Sequence, residues 1–168
     1  MNAFWDYFWP LFGVGLVFGA IGGTLTYRVH KRVRWAPRVA IGIVASIAAA
    51  ATWHGPLGGA ERFETRIDRA AHAVLVRYEM TQVQAHLHRG PLTRRIMLSG
   101  PADDFQQSEL VRYMEQLPGV ESATWNSSGG GIPLILEGLA VSVIGFGIGL
   151  LLAYLVALRR RYNAQGSW

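Results

Sequence analysis

"GLAVSVIGFGIGLLLAYLVAL" (residues 138–158) contains no charged side chain, and neither does "FWPLFGVGLVFGAIGGTLTY" (residues 8–27). At a helical rise of about 1.5 Å per residue, each run matches a bilayer hydrocarbon core of about 30 Å. A third run, Val39 to Trp53, is shorter and rich in alanine. The alternative for such runs is a buried helix of a soluble protein. A chain of 168 residues is too small to cover two of them on every side. The sequence therefore predicts a membrane protein with three transmembrane α-helices. Residues 1–59 form an N-terminal hairpin, with spans about 8–27 and 38–54 joined by a basic loop 28–38. Residues 60–131 form an extramembrane domain, and residues 132–168 form a C-terminal span with a basic tail.

The distribution of charge sets the expected orientation. Arg28, Lys31, Arg32, Arg34 and Arg38 crowd the loop after the first span, and Arg159, Arg160 and Arg161 follow the last, with no acid on either segment. Residues 60–131 instead hold eight arginines against nine acids. Positive charge beside a span end is retained in the cytoplasm. Loop and tail are thus expected inside, and the N-terminus and middle region outside, an alternation that three spans satisfy and two do not. The opening "MNAFWDYFWP" carries an acid and no base, unlike a cleavable signal, so the first span is expected to persist. Trp5, Tyr7, Phe8 and Trp9 crowd one end of span one, and Trp35 and Trp53 flank span two, as interfacial anchors do. Contact with anionic lipid accounts for the bases, and no nucleic-acid partner is expected. The absence of cysteine excludes disulfides, thiol catalysis and thiolate metal sites.

Helices in lipid associate through close packing of small residues. Gly15, Gly19 and Gly23 recur at intervals of four in span one, Gly42, Ser46 and Ala50 in span two, and Gly145, Gly149, Ala153 and Ala157 in span three. These seams either pack the three helices together or face a different protein. Glu137 falls near the start of span three, where a carboxylate still reaches headgroups and water.

The middle region changes period in a readable order. "ERFETRIDRAAHAVLVRYEM" (61–80) sets Phe63, Ile67, Ala70, Val74 and Tyr78 on one helical face. "VQAHLHR" (83–89) alternates as a strand, and after the turn "GPLT" the stretch "RRIMLSG" (94–100) pairs with it as a hairpin. Asp103 and Gln106 are spaced for a capping box, opening a helix through Phe105, Leu110, Tyr113, Met114 and Leu117. "PGV" ends that helix, and "VESATW" (120–125) supplies a last strand. The predicted fold is a small α+β domain of order αββαβ, both helices on one face of the sheet.

"IMLSG", a capped helix, and then "LPGVESATW" together resemble the BON-domain family of bacterial envelope proteins over about 65 of the 168 residues. The resemblance implies a BON-like periplasmic domain in a bacterial inner-membrane protein, with Gly100 and Gly119 as backbone positions and Val120 in the core. It also implies association with phospholipid or other envelope components.

Arg62, Arg66, Arg69 and Arg77 share a helix face away from the apolar one and are the expected lipid- or partner-binding residues. The alternative for this stripe is a solvated face with internal acid–arginine pairs. His86 and His88 leave one face of a strand, a weak metal pair that lacks further ligands. His30 and His54 flank span two at opposite ends and cannot clamp one haem. No cofactor is expected, and no nucleophile with a base, phosphate loop or paired carboxylates appears, so no enzyme is expected. The sequence points to a non-catalytic accessory or assembly subunit of a larger membrane complex. Its alternative is a stand-alone or homo-oligomeric phospholipid-binding envelope protein. A transporter or redox component lacks the intramembrane polar pairs or haem ligands it would need.

Overall fold

A computed structural model describes residues 2–27, 35–126 and 130–165. The element order is α1 (Ala3–Tyr27), α2 (Trp35–His54), α3 (Gly59–Arg77), β1 (Gln84–Arg89), β2 (Leu92–Ser99), α4 (Asp104–Glu115), β3 (Ser122–Trp125) and α5 (Leu134–Gln165). Helices α1, α2 and α5 are each long and apolar enough to cross a membrane. The chain divides into two compact units: Met1–Tyr7 with Gly55–Glu137, and Phe8–His54 with Gly138–Trp168.

The first unit is built on a three-stranded sheet of order β1-β2-β3, the first pair antiparallel and the second parallel. Register follows from the period of two. Leu87 faces Ile96, Ile96 faces Ala123, and Ala85 faces Leu98, so one sheet face carries the apolar set. Helix α3 buries Phe63, Ile67, Ala71 and Leu75 and α4 buries Leu110 and Met114, so the unit has a single small core. Each of these side chains larger than alanine contributes about 1.5–3 kcal/mol by leaving water.

Two helical faces differ from the sequence expectation. On α3 the buried row steps by four through Ala71 and Leu75 in place of Ala70 and Val74, and Tyr78 is exposed. A period of four drifts by about 40° per step, so the row slants around the helix toward Leu75. Phe105 is 74% exposed. It lies five residues before Leu110, about 500° of helical turn, which places it on the far side of α4.

Two glycines do backbone work here. Gly100 has φ 131° after β2, and an added Cβ would lie 2.7 Å from the Gln82 carbonyl oxygen. Gly119 has φ 108° after α4, with Ile67 and Phe63 within 3.3 Å of where a Cβ would stand. Both a side chain and an ordinary φ are excluded at these turns. Val120, next to it, is half-buried. Between them, the Asp103 carboxylate accepts from the Gln106 backbone N–H at 2.7 Å, and the Asp103 backbone N–H donates to the Gln106 side chain at 3.1 Å. Asp103→Ala leaves the Gln106 backbone N–H without its side-chain acceptor and is expected to cost about 1 kcal/mol. Chemical denaturation of the full chain, with faster amide exchange at Gln106, checks this.

The second unit is held by a seam between α1 and α5. A Cβ on Gly15 would lie 2.0 Å from the Ser142 carbonyl oxygen, and one on Gly19 2.1 Å from that of Phe146. The reciprocal positions are as tight: Gly145 would meet Phe12 O at 2.4 Å and Gly149 would meet Leu16 O at 2.2 Å. Gly23 ends the seam against Ala153, at 2.5 Å. Backbone thus touches backbone, which only residues without side chains permit. Helix α2 joins through Gly42, which leaves room for the Phe146 ring, and through a buried hydrogen bond of 2.7 Å between the Ser46 and Ser142 hydroxyls. The remaining hydroxyls turn inward on their own helices, Thr26 donating to the Gly22 carbonyl and Thr52 to that of Ala48. Arg38 donates to the Leu25 carbonyl at 3.4 Å, near the end of α1. The other bases of its loop, Arg28, Lys31, Arg32 and Arg34, lie outside the described residues, as does His30.

Candidate functional site

Of the eleven acids in the chain, nine fall between residues 60 and 131. The other two, Asp6 and Glu137, sit in the first turns of α1 and α5, and each meets an arginine of the first unit. Asp6 forms an ion pair with Arg66 on α3. Glu137 accepts from Arg94 Nε on β2 at 2.6 Å, and Arg94 also reaches Glu121 at 3.9 Å. The Arg94 guanidinium lies 5.7 Å from the Phe4 ring centroid, and Tyr7 packs on Phe63 with ring centroids 5.7 Å apart. Arg94 and Glu137 are 20% and 16% exposed, so this pair is partly desolvated and its loss costs more than that of a surface pair. Nearby, Gly131 abuts the buried Thr93 side chain, and Thr93 bridges to Pro133.

These contacts divide the arginine stripe of α3. Arg66 is taken by Asp6, and Arg62 donates to the Gly58 and Leu57 carbonyls at the start of its own helix. Arg69 and Arg77 are exposed and carry no ion pair among the described residues. The acids of the same helix face elsewhere: Arg89 on β1 reaches Glu64 at 2.5 Å and Asp68 at 3.8 Å, while Asp68 accepts from the Leu87 backbone N–H at 3.2 Å.

A second constellation joins the ends of α3 and α4. The rings of Tyr78 and Tyr113 stack with centroids 4.5 Å apart and planes at 19°. Arg112 lies 5.3 Å from the Tyr113 centroid and holds Glu109 at 2.5 Å. Phe105 is one turn before Glu109 on the same face of α4, so an apolar group, an ion pair and stacked rings follow one another along a partly exposed strip. A hydrogen bond between the two tyrosines is the main reason that the Tyr78 hydroxyl is held above its ordinary acidity range, in the neutral form. Stacked rings with a guanidinium on top are stiff, and contact surfaces built of Tyr, Phe and Arg lose little side-chain entropy on docking.

His86 and His88 lie on the sheet face opposite the core, and His88 Nδ1 is 3.0 Å from the Pro91 carbonyl oxygen. Among the described residues no three His, Asp or Glu side chains are grouped to hold a metal ion. The glycine positions Gly15, Gly19, Gly23, Gly145, Gly149 and Ala153 meet one another across α1 and α5, and Gly42 and Ser46 meet α5 from α2.

The sequence reading did not find the pairs of Asp6 and Glu137 or the tyrosine strip. One signal was available for the pairs: an acid just before each of two long charge-free runs needs a cation nearby. No family model, curated protein or solved structure matches this chain.

Proposed function

We propose that this chain is a multi-pass inner-membrane protein that works as a non-catalytic accessory or assembly subunit, offering a BON-like domain to the periplasm. Support for membrane insertion comes from the outward faces of the three apolar helices. Val17, Ile21 and Leu25 on α1, Ile41 and Val44 on α2, and Ile144, Leu151 and Leu155 on α5 are all exposed. At about 25 cal/mol per Å² such faces are costly in water and at home in acyl chains. The orientation rests on the eight cations of the loop and the tail.

The observation that carries the subunit reading is the strip Phe105–Arg112–Tyr113–Tyr78. The glycine seams engage one another within the three-helix unit, so a partner is expected to dock on this strip of the exported domain. Exposed Arg69 and Arg77 favour a second reading, a phospholipid-binding envelope protein that acts alone.

The chain has no cysteine, so single introduced thiols report topology cleanly. In spheroplasts, a membrane-impermeant maleimide is expected to label Ser108→Cys, and to label Asn163→Cys only after lysis. The reverse pattern refutes the orientation. In mild detergent the chain is expected to run in a larger assembly of fixed stoichiometry, released by Phe105→Ser with Arg112→Ser. A lone chain carrying phospholipid supports the second reading instead.

A further inference from the structure

We infer that the carboxyl-terminal end of the three-helix unit holds a binding cleft for one anionic phospholipid, an inference that rests on the membrane reading above. Past Gly23 and Ala153 the seam between α1 and α5 opens. Tyr27 follows Gly23 by one turn along the same face of α1, and its ring packs edge-on against Tyr154 with centroids 5.6 Å apart. Ala157, one turn beyond Ala153, is too small to close the gap that results. The space, about 210 Å³ and open on one side, is lined by Thr24, Tyr27, Ala153 and Ala157, with Arg160 and Arg161 at its rim. The Thr24 hydroxyl already donates to the Ile21 carbonyl, so the walls present an almost wholly apolar surface.

Charge decides the occupant. Residues 8–54 and 138–168, which make up this unit, contain eight arginines and lysines and no aspartate or glutamate. The two guanidiniums therefore have no acidic side chain within their own unit to neutralise them. A group that satisfies both rim and walls must carry a negative charge on an apolar stem. A phospholipid headgroup phosphate joined to its glycerol and first methylenes has that form. Guanidinium forks suit phosphate oxygens geometrically. The basic end is also the one expected on the cytoplasmic side, where anionic lipids gather.

The test uses the full chain in neutral detergent and follows thermal unfolding with added phosphatidylglycerol, phosphatidylcholine or inorganic phosphate. Phosphatidylglycerol is expected to raise the unfolding temperature saturably, with the other two inert. Arg160→Gln with Arg161→Gln is expected to weaken that response about tenfold or more, at roughly fivefold per cation near an anionic headgroup. Ala157→Phe, which fills the cleft and keeps the charges, is expected to abolish it, whereas Arg159→Gln, outside the cleft, has a small effect. An equal response to phosphatidylcholine, a response to phosphate alone, or wild-type affinity in the double variant overturns the cleft. Recovery of the chain without detergent in the soluble fraction overturns the membrane reading itself, and is thereby distinguishable from a membrane-embedded protein indifferent to phosphatidylglycerol.

Discussion

Gly15→Ala combined with Gly19→Ala is expected to unseat α1 from α5 and to cost at least about 3 kcal/mol, the upper end for overpacking a core. The added atoms are single methyl groups, but each would arrive 2.0–2.1 Å from a carbonyl oxygen of the facing helix. A side chain there could rotate aside; a backbone carbonyl fixed in its own helix cannot. The helices must part by more than an ångström along that length, and the dispersion contacts around the seam fall off steeply with such a gap. The hydrogen bond from Ser46 to Ser142 then stretches as well, since Ser142 lies in the stretch that moves. Matched controls are supplied by Gly13 and Gly147, where an added Cβ meets nothing within 4 Å. Gly13→Ala and Gly147→Ala are expected to be neutral or slightly stabilising, because alanine is the better helix former. Reversible unfolding of the four-position series in mixed micelles measures the contrast. Equal costs at the two sets of positions would remove the seam from the account.

Arg94→Leu is expected to be the most damaging single change in the sheet unit, at about 2–3 kcal/mol. Breaking a fully buried pair by deleting one partner costs about 3–5 kcal/mol; with Arg94 20% and Glu137 16% exposed, solvent screening lowers that figure. Two further contacts go with the guanidinium, the longer approach to Glu121 and the position over the Phe4 ring. Glu137→Leu is expected to cost a similar amount, and the double variant less than either, because an apolar pair leaves no stranded charge. Glu121→Gln is expected to be within about 0.5 kcal/mol of wild type, its carboxylate being 46% exposed and 3.9 Å away. A double-mutant cycle on the full chain supplies the coupling energy. Coupling below about 0.5 kcal/mol would reduce the pair to surface decoration.

The parts of the fold that sequence reading reaches are those whose cause is local. Three charge-free or nearly charge-free runs mark α1, α2 and α5, since helical hydrogen bonding and length act within each run. The order of α3, β1, β2, α4 and β3 follows from changes of period and from turn residues such as Gly100 and Gly119. The capping box needs only Asp103 and Gln106, three residues apart. Finer faces are less legible. "VLVRY" at the end of α3 offers apolar groups on several sides, and packing against the sheet selects Leu75 over Val74. Phe105 reads as core by its chemistry, but its angle on the helix sends it outward. The pairs from Asp6 to Arg66 and from Arg94 to Glu137 join residues 60 and 43 positions apart. Nothing in the neighbourhood of either acid names its partner. The stacked Tyr78 and Tyr113 pose the same problem, because two helices must be placed before the rings can meet.

The division of the sheet unit between the first seven residues and residues 55–137 has a consequence for synthesis. Ala3 to Tyr7 are made before the rest of α1 and all of α2, and Phe63, Arg66 and Arg94 emerge only after both. At roughly 5–20 residues per second, Tyr7 precedes Arg94 by roughly 4–17 s. During that interval Phe4, Asp6 and Tyr7 have none of these partners. Residues 3–7 are thus made well before the neighbours that complete their packing.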